Sequence, residues 1–241
     1  RPVDRANYYD IRENPNGSAI SPNWPQSSQV HPGSFMGKLR AKTGLSTLDL
    51  PTESQWEYAC RAGTTTALNS GQNLTSTSSN AAMSVVGRYY WNHPGGEYSF
   101  IANVSTAGGT AKTGNYQANA WGLYDMHGNV SEWCLDWYGT YPGAVTDPQG
   151  PNSGLARVRR GGVFGSGAAD CRSARRDSYD PEFSLMHIGS TGFRPAISLP
   201  MANTSTSGNT SVDTQDYVDD NSINDPFPSD PDVSDPQENG T

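Results

Sequence analysis

Between positions 32 and 43 the apolar residues Phe35, Met36, Leu39 and Ala41 recur near helical spacing beside Lys38, Arg40 and Lys42. This pattern predicts a short amphipathic helix, which Gly44 would end. A second helix is predicted after Pro51. Thr52 stands as its N-cap with Gln55 three positions on, a capping-box spacing, and Trp56, Ala59 and Cys60 share one face before Gly63. Beyond Gly63 the periodicity is lost among Gly, Ser, Thr and Asn. Only short runs such as Val85-Val86 and Arg88-Tyr89-Tyr90-Trp91 have the composition of strands. No run approaches the ~18 apolar residues of a membrane-crossing helix.

A chain this poor in long periodic segments must fill its interior by other means, and six Trp, twelve Tyr and six Phe supply large rings for that purpose. Of its 241 residues, 1–199 have the composition of one folded domain, and 200–241 read as an acidic disordered tail or linker. Residues 201–241 carry nine acidic residues and no Lys or Arg, which leaves the body 15 acids beside all 16 bases. The net charge of −8 therefore belongs to the tail, and the body has no basic stripe suited to nucleic acid. The tail's Asp-Pro and Ser-Asp repeats lack the Gly-centred spacing and terminal Glu of an EF-hand loop.

Three groups of residues carry more specific information. Leu123-Tyr124-Asp125-Met126-His127-Gly128-Asn129-Val130-Ser131-Glu132-Trp133 joins aromatic anchors, a Gly-Asn turn and a carboxylate in eleven residues. Upstream lies the segment from Leu50 to Gly63; downstream lie Arg160-Gly161-Gly162 and Gly192-Phe193-Arg194. In this order and spacing they resemble the formylglycine-generating-enzyme family, also called the sulfatase-modifying-factor domain, over roughly residues 1 to 199. The resemblance implies an α+β, C-type-lectin-like fold: loop-rich, with a small twisted antiparallel sheet and two helices. Members of the family have a strand and helix ahead of the point where this chain opens, so the resemblance reads the domain as amino-terminally truncated.

The residues from Gly128 to Glu132 offer oxygens to a hard cation: the Asn129 amide, the Val130 carbonyl and the Glu132 carboxylate. The resemblance implies calcium here. The alternative is a Gly-Asn turn in which Glu132 caps loop amides. A second calcium position of the family begins near Asn80, but Gly87-Arg88-Tyr89 lacks the expected acidic residue. His127 reads as a packed or hydrogen-bonded side chain. With His31, His93 and His187 scattered, a histidine-based iron or zinc centre has no support.

Oxidase members of the family hold copper(I) with two cysteines after Arg-Gly-Gly while oxygen converts a sulfatase cysteine or serine to formylglycine. Counted from Arg160-Gly161-Gly162, these positions fall on Ser166 and Cys171. A protonated serine hydroxyl cannot replace a thiolate for a soft ion, so half of the copper site is missing. On an oxidase reading Cys171 is catalytic and needs a second soft ligand such as Cys134 or Met186. Otherwise Cys171 is a structural thiol or a disulfide partner of Cys134. The resemblance also implies that Cys60 faces a partner position occupied here by Arg176, leaving Cys60 a packing residue.

The remaining signal lies between positions 165 and 187. Gly165, Ser166, Gly167, Ala168 and Asp170, then Arg176, Asp177, Ser178, Tyr179 and Asp180, then Phe183, Ser184, Met186 and His187 mix rings with small polar groups, as adaptable contact surfaces do. The arginines among them are interleaved with aspartates and are expected to pair. These features lead to a ligand- or protein-binding module with calcium-stabilised loops and an incomplete copper site. The alternatives are a copper-dependent formylglycine oxidase, a binding protein diversified by a retroelement across 165–187, and a purely structural module.

Overall fold

In the computed structural model, which describes residues 2–16, 23–92, 109–141, 143–181 and 191–197, both expected helices are present with the expected ends. Helix α2, Phe35–Thr43, follows α1, a single turn at Tyr8–Ile11; it starts where Ser34 Oγ accepts the Gly37 N–H at 3.1 Å and ends at Gly44, left-handed at φ 72°. Helix α3, Glu53–Arg61, carries the full capping box: Thr52 Oγ1 accepts Gln55 N–H at 3.2 Å and Gln55 Oε1 accepts Thr52 N–H at 3.0 Å.

The strand expected at Val85-Val86 is instead the end of α4, Ala81–Val86. Asn80 Oδ1 accepts the N–H groups of Ala82 and Met83 at 3.0 and 3.2 Å, which starts a helix that buries Met83 and Val86. Arg88-Tyr89-Tyr90-Trp91 divides between strand β2, Gly87–Arg88, and a 3₁₀ turn, Tyr90–Asn92.

The main sheet comprises β4 (Ser131–Trp137), β5 (Arg157–Arg160), β6 (Arg176–Tyr179) and β7 (Thr191–Phe193) in the order β6-β5-β4-β7. It is mixed, not wholly antiparallel as expected. Strand β7 lies parallel to β4, with Ser131, Glu132 and Trp133 opposite Thr191, Gly192 and Phe193. Two small pairs complete the set: β1 (Leu48–Asp49) antiparallel to β8 (Ala196–Ile197), and β2 parallel to β3 (His127–Gly128). The fold is α+β and loop-rich. Residues Phe183, Ser184, Met186 and His187, expected on the binding surface, lie outside the described residues, as does the acidic segment from 198 onward.

Three apolar clusters hold these elements. Tyr8, Ile11, Met36, Leu50, Trp133 and Leu135 join α1 and α2 to β4. Trp56 and Cys60 of α3 pack on Met126, Cys134 and Val158. Leu68, Met83, Val86, Tyr89 and Cys171 form the third.

Buried arginines bridge these clusters. Arg12, Arg157 and Arg160 are wholly inaccessible to solvent, and a charge so placed is tolerable only when paired. Arg157 lies 3.5 Å over the Trp137 ring, donates to Leu135 O at 2.6 Å and meets Glu13 at 3.3 Å. Arg160 of β5 pairs with Glu57 of α3, while Arg176 of β6 grips Glu53 at 2.6 and 2.7 Å. Helix α3 is thus fastened to the sheet by charge as well as by Trp56. Asp49 takes Arg12 at 3.0 Å and Arg40 at 3.1 Å.

Candidate functional site

The stretch from Leu123 to Trp133 is a hub of hydrogen bonds. Gly128 and Asn129 are both left-handed, at φ 72° and 67°, and turn the chain from β3 into β4. A Cβ on Gly128 would collide with the Arg88 carbonyl of the paired strand, so glycine is required there. His127 is fully buried. Asn69 N–H donates to its Nε2 at 3.0 Å, so the ring proton sits on Nδ1 and points at Cys171 O, 2.7 Å away. Burial pushes the His127 pKa down to about 4, so the ring is neutral and locked in one tautomer, as expected of a packed histidine.

The oxygens expected to hold calcium are already engaged. Asn129 Oδ1 accepts Ala111 N–H at 2.9 Å and its carbonyl accepts Phe164 N–H at 3.0 Å; its unpaired side-chain atom, Nδ2, is a donor. Glu132 Oε2 accepts the Trp56 indole N–H at 2.7 Å and Arg194 Nε at 3.0 Å, and Oε1 accepts Arg194 Nη2 at 2.9 Å. A divalent ion on Glu132 would have to face the Arg194 guanidinium. Val130 is buried, and Asn80 spends its amide oxygen capping α4 and its Nδ2 on Thr75 at 3.2 Å. The described residues at Asn80 and at Asn129 to Glu132 therefore do not fit a calcium ion. Among the described residues no cluster of three His, Cys, Asp or Glu is placed to hold a metal.

The thiols are equally committed to packing. Cys60, Cys134 and Cys171 are free and fully buried, so the pairing of Cys134 with Cys171 is not formed. Burial raises the Cys60 pKa to about 12 and lifts Cys134 and Cys171 well above the ordinary thiol range, which keeps all three protonated at neutral pH. Ser166 closes a local turn, its Oγ accepting Val163 N–H at 3.2 Å.

Facing Cys60 is Ser173, with Sγ and Oγ 3.5 Å apart, and not Arg176, which belongs to Glu53. The residue that faces Cys60 thus stands three positions before the expected Arg176. The loop between Gly162 and Ser173 brings Asp170 and Cys171 close against Gly162. Gly162 fits this tight loop because it is left-handed at φ 71° and a Cβ would lie 2.6 Å from Asp170 O and 2.8 Å from Cys171 Sγ. With one protonated, enclosed thiol and one turn-forming hydroxyl, these residues do not fit copper(I).

Residues 8–199 match the family model described as the sulfatase-modifying factor enzyme 1-like domain. The chain belongs to this family. It is 34% identical over 156 residues to the formylglycine-generating enzyme of Thermomonospora curvata, a match that covers 61% of this chain and 48% of that protein. It is 37% identical over 139 residues to the serine/threonine-protein kinase pkn1 of Chlamydia pneumoniae, covering 55% of this chain and 18% of the kinase. Among solved structures, PvdO from Pseudomonas aeruginosa shares the fold with a TM-score of 0.50 at 25% identity, covering 68% of this chain and 57% of that one. The chain spans less than half the length of the formylglycine-generating enzymes it matches.

Within this sulfatase-modifying-factor domain the expected contact surface divides in two. Ala168 is fully buried and Arg176 is a strut, stacked 3.9 Å from the Tyr141 ring while it grips Glu53. Tyr179 lies against the first cluster with Arg159 4.4 Å over its ring. Gly165, Ser166 and Gly167 of one loop, with Asp170, and Asp177, Ser178 and Asp180 of the β6 edge retain at least partial exposure. Of the expected ion pairs Arg175–Asp170 is present at 3.3 Å, while Asp177 is taken by Arg159 at 2.5 Å. Sequence reasoning missed Glu53 and Glu57 as structural partners; it expected Arg194 to be ion-paired, and the partner is Glu132. An acidic pair at the start and middle of a helix otherwise packed by Trp56 was the available signal.

Proposed function

We propose that this domain is a ligand- or protein-binding module on a sulfatase-modifying-factor scaffold that has lost the copper oxidase site. The observation that carries this reading is the state of Cys171: enclosed in an apolar cluster and protonated, with a turn-bound Ser166 where the counted partner would be. Copper(I) chemistry needs accessible thiolates, and oxidation of a peptide cysteine needs that peptide to reach them. Relatives support a scaffold reused for different ends, since the same domain matches chains named as a formylglycine-generating enzyme and as a serine/threonine-protein kinase. The contact surface is the Gly165–Gly167 loop with Asp170, and the β6 edge from Asp177 to Asp180. Its loop geometry is preset by Gly162, His127 and the Arg159–Asp177 pair, which reduces the entropy lost on binding.

Incubation of the full chain with copper(I), oxygen and a cysteine-containing sulfatase peptide is expected to leave the peptide mass unchanged. Conversion to formylglycine that disappears in Cys171→Ser would overturn the reading. For the binding half, a random peptide library panned on the full chain is expected to enrich clones that release from an Asp177→Ala, Asp180→Ala variant that still unfolds cooperatively. Enriched clones indifferent to those changes would place binding elsewhere.

A further inference from the structure

Trp91 keeps 54% of its surface in water. A lone exposed ring needs no explanation, but this one is held in place. Its 3₁₀ turn, Tyr90–Asn92, is closed by the Asn92 side chain, whose Oδ1 accepts Tyr89 N–H at 2.9 Å and whose Nδ2 donates to Gly87 O at 2.7 Å. Arg88 Nη1 donates to Asn92 O at 2.8 Å, and the Tyr90 ring packs edge to face on Trp91 at 5.2 Å. Tyr89, next in the chain, is buried in the third apolar cluster and anchors the turn from below.

The turn is also joined to the loop of the proposed contact surface. Tyr90 N–H donates to Ser166 O at 3.0 Å, and the N–H groups of Ala168 and Ala169 donate to Ser78 O and Thr77 O at 3.2 and 3.0 Å. Residues 165–169 are thus fastened both to the Trp91 turn and to the exposed, hydroxyl-bearing residues 77–79. The surroundings are neutral. No charged residue occurs from 62 to 87, from 89 to 92 or from 161 to 169, and Asp170 is paired with Arg175 at 3.3 Å. A ring fixed before binding loses little entropy on contact, and tryptophan ringed by uncharged polar groups is the arrangement that dominates protein contacts. A small molecule gains affinity by being enclosed, whereas a ring more than half in water is itself the part to be enclosed. A charged partner group would lose its water against hydroxyls that bring no counter-charge.

We propose that Trp91 anchors a protein partner at the contact surface, its ring entering an apolar socket on that partner while residues 77–79 and the 165–167 loop meet an uncharged polar rim. This rests on the reading of the 165–170 loop as contact surface, and it names the partner as a protein and not a small molecule.

The test pans the full chain against a displayed library of a small folded domain randomised over a concave face. Most enriched clones are expected to bind Trp91→Ala at least about tenfold more weakly, and Trp91→Phe with intermediate strength. Ser78→Arg, a bulky charge at an exposed position that keeps the backbone bond to Ala168, should weaken the same clones several-fold. Affinity should change less than about threefold between about 0.1 and about 0.5 M NaCl, and a fall of more than about tenfold would overturn the uncharged rim. Clones weakened by the Asp177→Ala, Asp180→Ala pair but indifferent to Trp91→Ala would overturn the anchor and leave the binding reading standing, whereas clones indifferent to every one of these changes would count against both. A small-molecule fragment that saturably shifts the Trp91 indole N–H resonance below millimolar concentration would overturn the choice of a protein partner.

Discussion

At the scale of single residues the domain's polar side chains are tuned by burial. His127 is held neutral, its folded pKa of about 4 lying below the ordinary 6.5. A depressed histidine contributes stability that is complete above pH 6.5 and is lost as pH falls towards 4, by up to about 3 kcal/mol. Asp136 works in the opposite sense: burial raises its pKa from 3.8 to about 7, so acidification over an overlapping range favours the fold. Urea midpoints measured from pH 7.5 to 4 should therefore fall more steeply in Asp136→Asn than in the native chain, and should rise on acidification in His127→Gln. Parallel profiles would show that neither group titrates as described. Ser173 permits a second check. In Ser173→Cys, an oxidised chain should form a bridge to Cys60 and gain about 2–4 kcal/mol over its reduced form, read from melting with and without reductant. A chain that keeps all its thiols under oxidant would contradict the facing of Cys60 and Ser173.

At the scale of elements, α3 shows why a loop-rich chain holds its shape. Its ends were legible in the sequence because Thr52, Gln55 and Gly63 are local signals, and its buried face was legible through Trp56 and Cys60. Its attachment was not. Strands β5 and β6 read Arg157-Val158-Arg159-Arg160 and Arg176-Asp177-Ser178-Tyr179, without the apolar alternation of a half-buried strand, because arginines fill the interior and are neutralised from α3. A partner 103 or 123 residues away in sequence leaves no trace in a local pattern. The facing of Cys60 and Ser173 was missed for a similar reason, since the two are 113 residues apart and only the contact itself identifies the partner. Glu57→Gln is expected to cost about 3 kcal/mol, because it removes the nearer of the two carboxylates that neutralise buried Arg160, whereas Thr52→Ala, which removes the cap, should cost only about 1 kcal/mol. Denaturant unfolding of both variants gives the comparison, and equal losses would mean that the buried pairs are not what fastens α3.

At the scale of the whole molecule, polar side chains and thiols along the family's fold serve as internal fastenings. Glu132 neutralises Arg194, Asn129 ties three loops, and the thiols pack in apolar clusters. Exchange against a chelator should accordingly leave the melting temperature within about 1 °C of its starting value, since Glu132 is already engaged by Trp56 and Arg194. A fall of many degrees restored by calcium would show a structural ion held by other residues. The most direct test of the central claim is titration of the reduced full chain with copper(I) against a competing chelator, beside Cys171→Ser. Binding too weak to compete, and unchanged by the substitution, is the result expected of a scaffold whose thiol is sealed; one tightly held copper that vanishes in Cys171→Ser would contradict it.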